Sequence, residues 1–402
     1  MPLADQLLRA REIMGYSQED VARALGVSRA MISYWESGRR RPSDRQLVAL
    51  SSLYRVAVDD LLGEGDLAPT IDLAAMLLRT ETDLPTEARP GIEDWASFLE
   101  LYTRLSEAVG VAIPGMHESP FLSRLGFQTS DDARRKAEEV RSHLRLGLGP
   151  VADLDWVCEL LGITVYRAEL GGDLKRTISG AFFRHPAVGF SILVNLNMTP
   201  GRRRFTVAHE IAHALFHSDK ATPYVISRPT SDPRERFADT FAGEFLMPTE
   251  GVRRFMEENG IGPRITDPAD VIHIQRYFKV SYGTALVRLR RARILTHAHY
   301  QEFWQVRPVL LARALGYETD DEEYFQDPEL WRVSRFPRRF LHLLRAAVKS
   351  NVISVPTAAS LTGLLVDEVA QLVSSQSGDV VLNDLAVERA EFEDSRVIEA
   401  TG

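Results

Sequence analysis

Residues 205–217, FTVAHEIAHALFH, constrain the fold more than any other stretch, because they set three histidines and a glutamate on an otherwise apolar helix. His209 and His213 are four apart, so their rings share one face about a turn from each other and can reach one metal ion. Glu210 is rotated by ~100° from His209, near enough to hold a water there without entering the ligand set. A catalytic zinc site needs three protein ligands and one open position, so a second element must come to this helix. The chain has to build a core around the helix while leaving one face of it reachable.

A thiolate cluster is excluded, as is an internal disulfide, because Cys158 is the only cysteine. Any ligand is then His, Asp or Glu. Residues 232–248, DPRERFADTFAGEFLMP, have the pattern of a second amphipathic helix, with Phe237, Phe241 and Phe245 as a core stripe. Glu235 and Asp239 share another face of it, which puts a Glu-x-x-x-Asp pair 22 residues after His213. Two other groups compete for the third position. His217 lies two turns beyond His209, too far along one helix to share a tetrahedral ion comfortably, and suits a capping or substrate-side role. Asp232, followed by Pro233, suits an N-cap with proline at the first helical position. His185, His273, His297 and His299 have no partner at ligand spacing, and Cys158 sits in an apolar helix as inert core.

Upstream, ADLDWVCELLGITVYRAEL predicts a helix then a strand, and ISGAFFRH with VGFSILVNLNM predicts two strands about the turn at His185-Pro186. With GAFF, ILVN, RRRFTVAHEIAHALFH and ERFADTFAGEFLMP in place, residues 146–292 resemble the ImmA/IrrE family of zinc-dependent metallopeptidases. The resemblance implies a Zn2+ cofactor held by His209, His213 and Glu235, with Asp239 accepting the free ring N–H of a ligand histidine. It implies that Glu210 takes a proton from the attacking water and returns it to the leaving amine. Gly180, Ala181 and Phe182 are expected to form a strand edge along which an extended peptide substrate pairs.

The other end of the chain has a different texture. The net charge is −8, yet residues 1–63 hold 9 Arg and 8 Asp plus Glu, so this segment is +1 and the acidic excess lies elsewhere. Its apolar spacing predicts five short helices: Ser17 caps the second, Gly26 breaks it, and Ser28 caps the third. SQEDVARALGVSRAMISYWESGRRRPS resembles the Xre-type, lambda-repressor-like helix-turn-helix domain through Gln18, Ala22, Gly26, Val27, Ser28, Ile32, Glu36, Gly38 and Pro42. By position in that resemblance, Arg29, Ala30 and Tyr34 face base edges of a double-stranded operator, while Gln18, Ser28, Arg39 and Arg40 meet phosphates. Arg29 has the planar fork that matches guanine O6 and N7. Such domains bind as dimers, so a homodimer is expected.

At 402 residues the chain is too long for one ordinary core. The expected class is α+β and predominantly helical: a helix-turn-helix domain at 1–66, a helical connector at 67–145, a zincin-like metallopeptidase domain with a small sheet at 146–292, and a helical region at 293–402. VISVPTAASLTGLLVDEVAQLV has a faint second helix-turn-helix pattern without the basic residues of a DNA reader. No stretch approaches the ~20 apolar residues of a membrane span, and MPLADQLLRA lacks a basic region followed by an apolar run, so a cytoplasmic protein is expected. The joint expectation is a DNA-binding regulator with a zinc-dependent endopeptidase domain. In the family it resembles, the substrate is a repressor that itself carries an Xre-type domain, in a stress or mobile-element response, and this chain's own N-terminal region is a second target. The alternatives are a regulator whose peptidase-like domain senses a metabolite or partner without cutting, and an antitoxin-type regulator.

Overall fold

The computed structural model describes residues 3–13, 16–54, 61–62, 86–115, 121, 129–171, 178–217, 224–226, 232–319 and 332–375, and the chain divides into two compact units, Met1–Arg89 and Pro90–Gly402. No helix among the described residues is long and apolar enough to cross a membrane.

The first unit is helical: α1 (Leu3–Ile13), α2 (Gln18–Leu25), α3 (Arg29–Glu36) and α4 (Asp44–Tyr54). The Ser17 hydroxyl accepts from the Asp20 N–H and the Asp20 carboxylate accepts from the Ser17 N–H, a capping box that fixes where α2 starts. Gly26 ends α2 at φ +65°, a left-handed conformation that a side chain would strain. Ser28 caps α3 two residues later. Leu7, Val21, Ala22, Ile32, Trp35 and Leu50 meet in one core. Beside it, the Arg11 guanidinium forks onto the Glu36 carboxylate at 2.6 and 3.0 Å, and Gln18 donates to the same group at 3.0 Å, so one buried carboxylate ties three helices together. The fifth helix expected here, and the stretch IDLAAMLLR, fall largely or wholly outside the described residues.

The second unit has three layers. Its sheet runs in the order β1-β3-β2-β4, with β1 (Thr164–Ala168) parallel to β3 (Gly189–Asn195), and β2 (Gly180–His185) antiparallel to both β3 and β4 (Tyr224–Ile226). All of β3 is buried, as a strand covered on both faces must be. Phe190, Ile192 and Val194 enter the main core, while Ser191, on the opposite face, accepts the indole N–H of Trp95 at 2.9 Å. Trp95 belongs to α5 (Arg89–Val109), which lies on that second face with α15 (Arg338–Lys349). Phe98 of α5 stacks on Tyr166 of β1 at 4.7 Å and meets Phe340 of α15 edge-on at 5.1 Å. The segment before α15 also reaches β1, where the Arg167 N–H donates to the Arg335 carbonyl at 3.1 Å. The amphipathic α5 and α15 thus bury their apolar faces on the sheet.

The main core holds α6 (Ser130–His143), α7 (Leu154–Leu160), α8 (Pro200–Phe216), α9 (Pro233–Leu246), α10 (Thr249–Glu258), α11 (Pro268–Phe278), α12 (Tyr282–Arg291), α13 (His297–Phe303) and α14 (Pro308–Ala314). Phe237, Phe241 and Phe245, spaced by four, are all buried in it, as the pattern of α9 requires. Along α6, Ala133, Ala137 and Val140 pack against α9, and the buried Arg141 guanidinium donates to the carbonyls of Phe245, Gly147 and Gly149. Cys158 is fully buried in α7, where burial pushes its thiol well above the ordinary range.

After α15, α16 (Val355–Thr362) and α17 (Val366–Ser374) are joined through left-handed Gly363. The plan repeats α2–α3: eight helical residues, a glycine at positive φ, two residues, then a second helix.

The expectation of a free edge at Gly180-Ala181-Phe182 is corrected here. Ala181 and Phe182 are paired on both sides, to Leu193 and Ile192 of β3 and to Ile226 and Val225 of β4. The edge position is taken by β4, a three-residue strand too short to show a period in the sequence.

Candidate metal centre and nucleic-acid interface

His209 and His213 project from the middle of α8, and Glu235 from the first turn of α9. Asp232 caps α9 by accepting from the Arg234 N–H at 2.8 Å with Pro233 next to it, so the start of α9, and with it Glu235, is fixed locally. The two Nε2 atoms are 3.1 Å apart, and the Glu235 carboxylate oxygens lie 3.2 Å from His209 Nε2 and 3.3 Å from His213 Nε2. A tetrahedral ion with bonds of ~2.0–2.1 Å separates its ligand atoms by about 3.3–3.4 Å, so the three edges suit such an ion closely. These are the only such groups among the described residues with the spacing of a metal site. Two imidazoles and a carboxylate are a zinc donor set.

Each histidine is oriented from behind. His209 Nδ1 is 3.0 Å from Asp239 Oδ1, and His213 Nδ1 is 2.8 Å from His217 Nδ1. If both Nε2 lone pairs are to point at the shared centre, His209 donates its Nδ1–H to Asp239 and His213 donates to His217. Burial holds His217 neutral, with its pKa down at about 2, which lets its Nδ1 accept. His217 is the C-cap of α8, one of the two roles expected for it, and its ring stands behind His213, against the Phe237 ring at 5.3 Å. Its signal was present in the sequence: it is to His213 what His213 is to His209, four residues on along the helix.

The two ligand-position histidines are shifted in opposite directions. Burial opposes protonation of His209, yet the Asp239 and Glu235 carboxylates outweigh it and raise the ring to about 10. Burial would likewise raise Glu235, but its contacts with His209 and His213 hold it at about 2. His213, with burial as the main cause, is lowered. Glu210 is fully buried one position along from His209. Gly180 leaves room for it: a Cβ there would lie 2.5 Å from Thr206 Cγ2 and 3.3 Å from Glu210 Oε1. A cavity of ≈ 750 Å³ opens beside the centre and reaches His209, Glu235 and Asp239. Gly180, Ala181 and Phe182 do not line it, whereas Arg202, which opens the motif RRRFTVAHEIAHALFH, and Arg291 and Trp304, which lie in no motif, do.

In the first unit, Arg29, Ala30 and Tyr34 are exposed on α3, while Ile32 and Trp35 on its other face are buried. Ser28 accepts from the Met31 N–H, which leaves its hydroxyl hydrogen to donate. Arg39, Arg40 and Arg41 are exposed just beyond α3. Gln18 is half-buried and bound to Glu36, so its amide is already positioned by the core.

Residues 158–290 match the family model described as IrrE N-terminal-like domain, a peptidase family, and residues 7–61 match the one described as Helix-turn-helix. The chain is 33% identical over 84 residues to the HTH-type transcriptional regulator ImmR of Bacillus subtilis (strain 168), covering 21% of this chain and 59% of that protein. It is 33% identical over 78 residues to the uncharacterized immunity region protein 2 of Bacillus phage phi105, covering 19% of this chain and 49% of that protein. The chain thus matches only 59% and 49% of the length of these relatives.

Proposed function

We propose that this chain, which joins a helix-turn-helix domain to an IrrE N-terminal-like domain, is a transcriptional regulator whose second unit is a zinc-dependent endopeptidase. Its substrate is a repressor protein with an Xre-type domain, or its own N-terminal unit. The observation that carries the reading is the convergence of His209, His213 and Glu235 at 3.1–3.3 Å, each histidine backed by its own orienting partner.

His209, His213 and Glu235 would hold the ion, and Asp239 and His217 would keep the two rings turned towards it. Zinc bound there supplies Lewis acidity that activates water and polarises a peptide carbonyl near neutral pH. The Glu210 carboxylate takes the proton from the attacking water as its oxygen bonds to the carbonyl carbon. When the C–N bond breaks, Glu210 returns that proton to the leaving nitrogen. The buried setting of Glu210 excludes bulk water from this exchange.

On DNA, Arg29 reads a base edge from the start of α3, and Arg39, Arg40 and the Ser28 hydroxyl hold phosphates. The protein acts on its operator as a homodimer.

The test compares newly formed protein N-termini in cells that carry the native protein or Glu210→Gln, before and after stress. A terminus that depends on Glu210 establishes the protease and names its substrate. If none forms under several stresses while the operator stays occupied, the domain senses a ligand or partner without cutting.

A further inference from the structure

The cavity beside the metal centre is walled by stripes of three helices. On α8, Arg202, Phe205, Thr206 and His209 follow the i, i+3, i+4, i+7 rule and lie on one face. Thr284, Val287, Arg288 and Arg291 repeat that spacing on α12, and Glu235, Asp239 and Gly243, four apart, line one face of α9. Trp304 closes the rim. It is 47% exposed, and its ring lies over Gly283, where a Cβ would come within 3.0 Å of Cη2. A large aromatic side chain held over a glycine at the mouth of a cavity is in place to cover an apolar group.

The charges on these walls do not balance. Glu235 and Asp239 are both engaged by the ligand histidines. Arg288 is bound to the buried Glu244 carboxylate, the Met247 carbonyl and the Thr249 hydroxyl, and Arg134 pairs with Asp131 at 2.7 Å. Among the described residues, the guanidinium groups of Arg202 and Arg291 have no carboxylate or hydrogen-bond partner. Two unmatched cations therefore border a cavity that ends at the His209–His213–Glu235 cluster. Arg202 is seven residues from His209, ~10.5 Å along the helix, the length of about three residues of an extended peptide.

We infer that this cavity selects a peptide with an acidic side chain about three residues from the bond to be cut, read by Arg202 and Arg291, with Trp304 covering an apolar side chain of the same segment. The inference rests on the proteolytic reading for its position relative to a scissile bond; recognition itself is measurable without cutting.

The experiment selects a random-peptide display library on full-length, zinc-loaded Glu210→Gln protein and sequences the retained pool. The expected result is a several-fold enrichment of Asp and Glu at one position. The double variant Arg202→Glu, Arg291→Glu, made in the same background and checked for unchanged zinc content and melting temperature, should turn that preference towards Lys and Arg. Trp304→Ala should lose an apolar preference nearby while the acidic one stays. A pool without charge enrichment overturns the inference. So does an acidic preference that survives the charge reversal, as it would if the arginines at 39–41 captured the peptides. Selected acidic peptides are then offered to the native protein. Cleavage supports both readings, whereas reversible charge selection without cleavage keeps the recognition and removes the protease.

Discussion

The α2–α3 pair and the α8–α9 pair both set their chemistry at helical spacing, but on opposite sides of the surface. Arg29, Ala30 and Tyr34 stand in solvent, while His209, Glu210 and His213 are 6%, 0% and 1% exposed. An exposed set costs the fold little and acquires its meaning from a partner. A buried polar set must be satisfied internally, so every member needs a counterpart that is equally well placed. That is why the α8 histidines come with Asp239, His217 and Glu235, whereas the α3 residues need only a rigid helix. The comparison teaches that substitutions in the first pair should change recognition alone, and those in the second should change metal, chemistry and local stability together.

The strongest way to break that contrast is at α8. His213→Ala should lower zinc affinity by more than ~100-fold, since a ligand is worth at least what its supporting partners are, measured by competition with a chelator. Glu210→Gln should retain zinc yet slow cleavage by ~10²–10⁴-fold; equal zinc content in His213→Ala and the native protein would undo the site. A buried ion pair tests the first unit in the same terms. Arg11→Ala strands Glu36, whose side chain is only 5% exposed, and should destabilise that unit by about 3 kcal/mol in denaturant titration. A change near zero would mean the α1–α3 clamp is idle. Behind the ligands, Asp239→Asn and His217→Ala should each weaken zinc binding by ~10–100-fold; no effect from His217 would return it to a packing role. Smallest, Arg29→Ala should relax operator discrimination by ~1–3 kcal/mol without moving the melting temperature. Unchanged affinity for matched and mismatched operators would remove Arg29 from base reading.

What the sequence disclosed follows the same division. Caps and breakers act over a few residues, so Ser17, Gly26 and Ser28 announced the first helix pair directly. His209, His213 and the Glu235–Asp239 pair were legible because helical spacing fixes which side chains share a face. The way α8 and α9 meet was carried by three phenylalanines at one spacing. Long-range pairing left weaker traces. β4 has three residues and no period, so its place beside β2 could not be read, and the supposed free edge at Ala181-Phe182 came from that gap. Arg202 was accessible in principle, two turns before His209 on one face. Arg291 and Trp304 come from other parts of the chain, and only the packed helices bring them to the cavity. His217, expected in a capping or substrate-side role, is the C-cap of α8; spacing gave its face but not the His213 Nδ1 that its ring meets.

The backbone bond from Arg167 to the carbonyl of Arg335, with Phe340 against Phe98, has a consequence for synthesis. As the polypeptide leaves the ribosome, α8 and α9, which carry the His209–His213–Glu235 cluster, emerge well before the segment that seals the sheet. Until about residue 349 is free, β1 presents an open edge beside the aromatic face of Tyr166, the kind of surface that recruits other chains. The nascent protein thus passes through an interval in which the His209–His213–Glu235 cluster can be assembled while its sheet is still adhesive. The interval closes when the segment around Arg335 and Phe340 reaches β1 and α5.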